Sequence, residues 1–462
     1  MVKKRFKDYF EGKRVAILGF GLEGKSTYRL LRSYFPELKI IICDQNTGIR
    51  ESADYLQDDK YASLSLGDNY LNGLKESDLI MKSPGIPFRE LADVDPDKIH
   101  SQTSIFLELF RDQTIGITGT KGKSTTAALL YHILRKANMP SLLAGNIGTP
   151  CFDLIDDIDK DTIIVFEMSS HQLEHIAISP RIAVLLNIFM EHLDHYDSYD
   201  AYQQAKMNIA RWQKSGDYFF FYQENDIVRK LLEAIRLNAS TVALTKTESD
   251  ANAVFLDGPD VVVQLSSGRI QIPDVITRRL LGGAHNLINI MAAAGVAGLL
   301  SVSAADISDA ISTFSGLPHR LEYIGTFQGV QFINDSIATV PEATVEAVKA
   351  YPDTATLILG GMDRGLDYQA LMQYLSGSAV RCLFFTGPAG QMMYGITDAS
   401  SDFDEKLCVM ASSFEEAVQL AVANTPSGKS VLLSPAATSY DQFRDFKERG
   451  ERFKALVTKY AG

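Results

Sequence analysis

Cysteine is scarce in this chain: Cys43, Cys151, Cys382 and Cys408 are the only four in 462 residues. No two fall in a Cys-x-x-Cys pair, which excludes a disulfide framework and argues equally against a thiolate zinc site. Positive charge is not in excess either, because 45 Lys and Arg stand against 57 Asp and Glu, for a net charge of -12 at pH 7. Duplex nucleic acid needs a broad cationic surface, so no nucleic-acid partner is expected. Anionic small molecules, which need only a few local donors, stay open. Long hydrophobic runs are missing as well. The most apolar stretch, Ile288 to Ala305, is diluted by Ala, Gly and Ser and contains Asn289, so it reads as a close-packed helix and not a membrane span. Met1 to Arg14 is basic but lacks the apolar core of a signal peptide. A soluble cytosolic chain with no membrane partner is expected. No internal repeat or low-complexity tract is visible. What is present is core material: 46% hydrophobic against 22% charged residues rules out disorder and collagen-like repeats. The length suits about three domains.

Three α/β blocks follow one another. Arg14–Gly19 is a short apolar run ending in glycine, helical periodicity runs from Ser26 to Tyr34, and Lys39–Cys43 is a second apolar run closed by Asp44. That is a βαβ unit. The alternation continues to Leu79–Met81 and the loop Ser83-Pro84-Gly85-Ile86-Pro87. A second block opens with the strand Thr114–Thr118, continues through Ile163–Phe166 and Arg181–Ile188, and ends near an Ala-rich helix at about His285–Leu300. Its strands are nearly continuous and apolar, as buried parallel strands should be. A third block starts near Gly316, with strands at Val330–Asn334, Thr356–Leu359, Arg381–Phe385 and Ser430–Leu433. The boundaries fall near residues 108 and 314, giving 1–108, 109–314 and 315–462.

Gly19-Phe20-Gly21-Leu22-Glu23-Gly24 is a G-x-G-x-x-G between strand and helix, and Asp44 closes the next strand where an acidic residue would meet a ribose hydroxyl. Glycines let backbone approach a pyrophosphate, which the helix N-terminus then attracts. A dinucleotide and a UDP-type pyrophosphate fit equally well, and a merely tight strand–helix turn is the plain alternative. Gly19, Gly24, Lys25 and Ser26 also spell a formal P-loop, taken as coincidence because a better one follows. Gly119-Thr120-Lys121-Gly122-Lys123-Ser124-Thr125 sits directly after the strand Thr114–Thr118. Its backbone N–H groups would cradle phosphates, Lys123 would reach the β/γ oxygens, and Ser124 or Thr125 would bind Mg²⁺. The spacing is one residue short of the standard pattern, with Ile117 where the first glycine belongs.

Glu167 ends a buried strand, so its carboxylate faces the crevice where α/β sheets bind ligands. His171-Gln172-Leu173-Glu174-His175 matches a zinc-protease pattern, discounted because no long helix surrounds it and because Glu167 with Ser124 already makes an oxygen-rich Mg²⁺ site. Glu191-His192-Leu193-Asp194-His195 follows another strand. A zinc pair of His192 and His195 lacks a third ligand nearby, so a histidine joining a Mg²⁺ or phosphate site is preferred. Lys206, on sequence alone, is a solvated helix-face lysine. His285, Asn286 and Asn289 lie on one face at a helix start, where polar amides are costly unless they bind something. Leu317-Pro318-His319-Arg320 and Asn334-Asp335-Ser336 open the last block, and Arg320 could swing onto ATP phosphates.

Taken in order, the G-T-K-G-K-S-T loop, Glu167-Met-Ser-Ser, Asn187…His192, His285-Asn286-x-x-Asn289, Leu-Pro-His319-Arg320 and Asn334-Asp335-Ser336 resemble the Mur ligase family over nearly the whole chain. These are amide-forming ATP enzymes of peptidoglycan precursor synthesis. The resemblance implies an α/β fold of three domains: Rossmann-like at the N-terminus, P-loop ATPase-like in the centre, and Rossmann-like again at the C-terminus. Within the family the chain resembles the branch that adds D-glutamate to UDP-N-acetylmuramoyl-L-alanine, through Ser83-Pro84-Gly85-Ile86, Gly360-Gly361-Met362-Asp363-Arg364-Gly365 and Leu433 to Phe443 with Phe446 beyond. A D-N-P-R signature of the diaminopimelate-adding enzyme is missing.

The implied roles follow. Gly21, Asp44, Ser83, Pro84 and Gly85 would hold the uridine diphosphate, with Asn146 facing the reacting centre. Gly119, Thr120, Lys121, Gly122, Lys123, Ser124 and Thr125 would bind ATP phosphates, while Asn286, Asn289, Arg320 and Asp335 position the nucleotide. Ser124 and Glu167 would bind one Mg²⁺; His192 and a carbamylated Lys206 would bind a second. Arg364, Ser439 and Phe446 would hold D-glutamate. Lys123, Glu167, His192 and Lys206 are therefore the expected catalytic set, and a monomer is expected. Four positions depart from the family pattern: Lys121 stands where Asn is common, Ile337 where Lys is, Arg364 for Lys, and His171 for Phe. Arg364 keeps the charge and adds a fork that matches a carboxylate; no role is carried onto Ile337. The implied reaction phosphorylates the L-alanyl carboxylate, and the amine of D-glutamate then attacks the acyl phosphate. Closure of the third block would bring Arg320 and Asp335 onto ATP and exclude water. A folylpolyglutamate-type or other Mur-type ligase, a nicotinamide-dependent dehydrogenase and a non-catalytic nucleotide module are the competing classes.

Overall fold

A computed structural model describes residues 2–462 apart from 54, 55, 57, 146–148, 192–194, 250 and 285. The chain packs as two compact units, one formed by residues 1–277 with 288–310 and the other by residues 278–287 with 311–462.

The first unit holds two sheets. Strands β1 (Arg14–Leu18), β2 (Lys39–Asp44), β3 (Ala62–Leu66), β4 (Leu79–Lys82) and β5 (Ile99–His100) form a five-stranded sheet in the order β3-β2-β1-β4-β5. All four pairings are parallel. Chain order reverses across β1, which opens a crevice at the carboxyl ends of β1 and β4. The helix after β1 begins at Leu22, four residues ahead of the Ser26 expected from periodicity, because Gly21 takes the extended N-cap conformation.

The second sheet has nine strands in the order β14-β13-β12-β11-β10-β9-β6-β8-β7. They are β6 (Thr114–Thr118), β7 (Ser141–Gly145), β8 (Ile163–Glu167), β9 (Ile182–Leu185), β10 (Tyr218–Tyr222), β11 (Ser240–Leu244), β12 (Ala253–Asp257), β13 (Asp260–Leu265) and β14 (Gly268–Ile272). Strand β6 lies at its centre, parallel to β8 on one side and β9 on the other. Every residue of β6 is buried, the threonines at its ends included, whose hydroxyls donate to the Phe110 and Met168 carbonyls at 2.8 Å each. Strand β9 stops at Leu185, three residues short of the expected end, because the side chain of Asn187 is engaged with the loop after β6. The helix Lys123–Lys136 buries Leu129, Leu130, Ile133 and Leu134 completely. Each such side chain contributes about 1.5–3 kcal/mol, which fixes the helix start beneath the phosphate loop.

The second unit carries β15 (Glu322–Phe327), β16 (Val330–Asn334), β17 (Thr354–Gly360), β18 (Cys382–Thr386), β19 (Leu407–Met410) and β20 (Ser430–Leu433), ordered β15-β16-β20-β17-β18-β19. Only β15 runs antiparallel, at the sheet edge. The last helix, Phe446–Ala461, buries Phe453, Leu456 and Val457 and is capped by the side chain of Asp445. No helix among the described residues is long and apolar enough to cross a membrane.

Candidate active site

At the carboxyl edge of the first sheet, the loop after β1 is tied to its neighbours on both sides. The N–H of Gly19 donates to the Cys43 carbonyl at 2.8 Å, and the Ser83 hydroxyl donates to the Gly19 carbonyl at 2.7 Å. Asp44 accepts the Phe20 N–H at 2.6 Å with one oxygen and the Asn46 N–H at 2.8 Å with the other. The carboxylate thus shapes the loop while keeping lone pairs for a hydroxyl. Gly19 sits at φ 86°, and a Cβ on Gly24 would run into the Gly19 carbonyl. Around Gly21 and Gly85, by contrast, a Cβ would meet nothing within 4 Å, so backbone there is open to a ligand. Beneath Ser83-Pro84-Gly85 lies Lys82, which sequence reasoning passed over. Its amine donates to the carbonyls of Ser83 at 3.2 Å and Ile86 at 2.6 Å. Burial lowers its pKa to about 8, against the pull of Glu174, Glu23 and Glu90.

Three adjacent strands of the second sheet deliver the phosphate loop, Glu167 and Asn187 to one edge. The N–H of Thr120 donates to the Asn187 carbonyl at 2.9 Å, that of Lys121 to Asn187 Oδ1 at 2.8 Å, and Asn187 Nδ2 returns a bond to the Lys121 carbonyl at 3.1 Å. The Lys121 amine pairs with Glu191, so the lysine that replaces the usual Asn is spent on an ion pair. Lys123 Nζ folds back onto the Gly119 and Thr120 carbonyls at 3.0 Å each. The Ser124 hydroxyl donates to Glu167 Oε1 at 3.0 Å, so the two expected metal ligands meet. Thr125 lies half-buried in the first turn of the helix. Gly122 has φ 89°, and a Cβ there would run into Asn289 Oδ1, which also accepts the Thr126 hydroxyl at 3.2 Å. The Asn289 amide is therefore spent at the phosphate loop.

Lys206 overturns its reading as a solvated lysine. It is 1% exposed, and Nζ donates to the Gly119 carbonyl at 2.9 Å. Burial first, then the charge of Lys123, holds its pKa well below the usual ammonium range, with Glu191 pulling the other way. The sequence could not show this, because a helix with one buried lysine keeps the same periodicity as one with a solvated lysine. His192 and Asn146 lie outside the described residues, as does His285.

The zinc-protease pattern dissolves into separate contacts. The helix there is only Ser170–Leu173. Glu174 Oε2 meets His195 Nε2 at 3.2 Å, His175 stacks on Phe88, and the His171 ring lies against those of His195 and Tyr196. Nearby, Glu23 in the first turn after Gly21 is half-buried with its carboxyl turned inward, and that burial raises the carboxyl to about 7 against the hydrogen bond from Gln172 and the charge of Lys82.

In the second unit, His319, at φ 64° and buried, accepts Asn334 Nδ2 at Nδ1 over 3.0 Å. Arg320 next to it is exposed. Asp335 accepts the Leu321 N–H at 3.1 Å and the Ser434 hydroxyl at 2.9 Å. Burial raises its pKa from 3.8 to about 7, and those two bonds with Arg320 oppose the rise. A carboxyl raised in the folded state binds its proton there more tightly than in the unfolded chain. Its contribution therefore falls away as pH rises from 3.8 through about 7. Asp335→Asn is expected to flatten that decline, so its melting temperature gains on the wild type as pH rises from 3.8 to about 7 and the gap then stays constant. Equal slopes in thermal melts across that range would show that Asp335 ionises normally.

Asn286 Nδ2 donates to the Gly282 carbonyl at 2.6 Å, so part of its polar cost is met within the unit. The Gly361–Arg364 turn is joined to the loop after β20 by the Met362 N–H, which donates to the Thr438 carbonyl at 2.8 Å. This brings Ser439, buried, and Arg364, exposed, onto paired segments. Phe446 sets its ring edge-on to His319, 6.1 Å between centroids, and its carbonyl accepts the Ser336 hydroxyl. Sequence reading missed Arg449. Its buried guanidinium donates to Ser336 Oγ at 3.0 Å and to the carbonyls of Ser336 at 2.8 Å and Ala437 at 3.0 Å, tying these loops together.

With this geometry in place, comparison with known proteins is informative. Residues 117–297 match the model of the Mur ligase middle domain, and residues 319–437 match that of the Mur ligase glutamate ligase domain. A UDP-N-acetylmuramoylalanine--D-glutamate ligase of Desulfitobacterium hafniense (strain Y51) is 34% identical, over 97% of this chain and 98% of that protein. One of the same name from Acetivibrio thermocellus is 32% identical, over 98% of this chain and 97% of the other. Among solved structures, a UDP-N-acetylmuramoyl-L-alanyl-D-glutamate--2,6-diaminopimelate ligase superposes with a TM-score of 0.57 at 15% identity, covering 91% of this chain and 92% of that one. The fold is thus the Mur-type α/β architecture, and the chain belongs to the Mur ligase family, the ATP-dependent amide-forming ligases of peptidoglycan precursor synthesis.

Proposed function

We propose that this ligase joins D-glutamate to UDP-N-acetylmuramoyl-L-alanine at the cost of ATP, as a monomer in the cytoplasm. The names of the relatives over almost the full chain support this substrate pair. In the division of labour, residues 1–108 hold the UDP substrate, 109–314 the ATP, and 315–462 the incoming amino acid.

The observation that carries the reading is the single edge at which the Gly119–Thr125 loop, Glu167 and Lys206 converge. Joining a carboxylate to an amine is uphill in water, so the carboxylate must first become an acyl phosphate. The γ-phosphoryl group passes from ATP to the L-alanyl carboxylate and ADP leaves. The amine of D-glutamate attacks the acyl carbon, and the tetrahedral species expels inorganic phosphate with loss of the amine proton. Lys123, now resting on two loop carbonyls, would turn to the phosphate oxygens and hold their charge through transfer. The backbone N–H groups of the loop would orient the phosphates.

The hydroxyl of Ser124 beside the carboxylate of Glu167 is a hard oxygen pair that fits Mg²⁺. His192 and the carbamate of Lys206 are proposed for a second ion. Bound there, Mg²⁺ supplies charge neutralisation on the phosphates. Asn289 would brace the loop from behind, with Asn286, Arg320 and Asp335 placing the nucleotide. Gly21, Asp44, Ser83, Pro84, Gly85 and Asn146 would seat the UDP-sugar, and Arg364, Ser439 and Phe446 the D-glutamate. Arg364 offers the latter a two-pronged donor for a carboxylate.

The test is phosphate release from ATP with UDP-N-acetylmuramoyl-L-alanine and, in turn, D-glutamate, L-glutamate, meso-diaminopimelate or no amino acid. Release that needs the UDP substrate and D-glutamate is the expected result. Release with a folate acceptor instead, or with none of these, would overturn it.

A further inference from the structure

Between the two nucleotide-facing edges of the first unit runs a bridge that the chemistry above does not use. Glu23 lies in the first turn of the helix Leu22–Tyr34, two positions past Gly21. Its Oε1 accepts Gln172 Nε2 at 2.8 Å, across 149 positions of sequence. Its main-chain carbonyl accepts Gln102 Nε2 at 2.8 Å. Gln172 in turn closes a reciprocal pair with Ser169, its Oε1 accepting the Ser169 N–H at 2.9 Å and its own N–H donating to Ser169 Oγ at 3.2 Å. Ser169 is two residues beyond Glu167, which accepts the Ser124 hydroxyl of the phosphate loop. Every link from Gly21 to Ser124 is therefore a hydrogen bond or a step of one or two residues.

A packing role alone would be served by an apolar side chain. Glu23 instead buries a carboxyl whose Oε2 has no hydrogen-bond partner among the described residues, an arrangement that costs stability. The cost falls where the Gly19–Gly24 loop meets the segment that follows Glu167.

We propose that Glu23 and Gln172 are positioning residues that couple the UDP-substrate loop to the ATP–Mg²⁺ loop, so that occupancy of one edge tightens binding at the other. This rests on the functional reading above. Coupling of this kind is reciprocal, so it is measurable from either ligand.

The experiment measures ADP·Mg²⁺ affinity by titration calorimetry, with and without saturating UDP-N-acetylmuramoyl-L-alanine, in the full chain. In the wild type the UDP substrate is expected to tighten ADP binding about tenfold, within the range usual for coupled sites. Glu23→Ala and Gln172→Ala are expected to bring that factor close to one, while the affinity of each ligand alone moves less than about threefold, the scale of one lost hydrogen bond. Should either alanine variant fail to fold, Gln172→Glu is isosteric, faces Glu23 with a second carboxyl, and is expected to lose the coupling too. The exchanged pair Glu23→Gln with Gln172→Glu restores a donor opposite an acceptor and is expected to recover it, which a structural defect would not do.

Independent binding of the two ligands by a wild type that turns over with D-glutamate overturns the bridge and leaves the function standing. So does unchanged coupling in the single variants, or no recovery in the exchanged pair. A wild type that shows no D-glutamate-dependent turnover overturns the functional reading and the bridge with it.

Discussion

Lys123→Ala is expected to reduce ADP formation by about 10³-fold, or about 4 kcal/mol of transition-state stabilisation. Binding of UDP-N-acetylmuramoyl-L-alanine should stay within about threefold of the wild type, roughly the scale of one hydrogen bond. The two effects separate because the groups that hold the first loop do not involve Lys123: Gly19 is fixed by Cys43 and Ser83, and Phe20 by Asp44. The Lys123 amine meets the Gly119 and Thr120 carbonyls at 3.0 Å each, within the loop whose N–H groups would cradle the phosphates. Lys123→Arg should fare little better, since a planar guanidinium does not fit a recess built for a compact ammonium. Steady-state ADP release and calorimetric titration of the UDP substrate decide the matter. Turnover near normal in either variant would remove Lys123 from the phosphate site and with it the assignment of the loop.

Much of this site was legible in the sequence because its residues stand at strand ends. Continuous apolar runs such as Thr114–Thr118 and Ile163–Phe166 can only be buried strands, and a polar residue directly after one must emerge at the ligand-binding edge. Ser124 and Glu167, each following such a run, meet at 3.0 Å across 43 positions of sequence. The strands β10 to β14 were passed over. In β12 to β14, Asp257, Asp260, Gln264, Arg269 and Gln271 interrupt the apolar pattern, whereas β10, Tyr-Phe-Phe-Phe-Tyr, is an unbroken aromatic run that the sequence does display.

Groups whose meaning depends on long-range packing were hidden for a different reason. Lys82, Lys206 and Arg449 each bury a basic side chain against main-chain carbonyls, and a carbonyl has no signature in sequence. Glu23 and Gln172 were read as parts of separate motifs, a glycine loop and a discounted zinc pattern. Only the fold brings them to 2.8 Å. The same holds for His171, whose ring packs on His195 and Tyr196 where a phenyl would serve as well; its substitution for the usual Phe keeps the aromatic contact.

Lys206→Ala and Lys206→Arg are both expected to lose most of the activity, about 10²-fold or more if a metal-binding anion is lost. Alanine removes the side chain; arginine keeps a cation but cannot take up CO₂. An ammonium at 1% exposure beside Lys123 is disfavoured, so Lys206 is held well below its ordinary pKa and gives up its proton more readily than a solvated lysine. A neutral amine adds to CO₂, forming a nitrogen–carbon bond and releasing one proton. The carbamate nitrogen would keep an N–H for the Gly119 carbonyl that the amine now meets at 2.9 Å, and two oxygens sharing one negative charge would stand where the amine had none. Since uptake releases a proton, the carbamate should be lost as pH falls and activity should fall with it. Stripping CO₂ from the buffer should slow the enzyme, and bicarbonate should restore it. In the wild type alone, native mass spectrometry should find the mass of one added CO₂. An enzyme fully active without CO₂, with Lys206 unmodified, would leave that residue as a structural donor to the phosphate loop and strike it from the metal site.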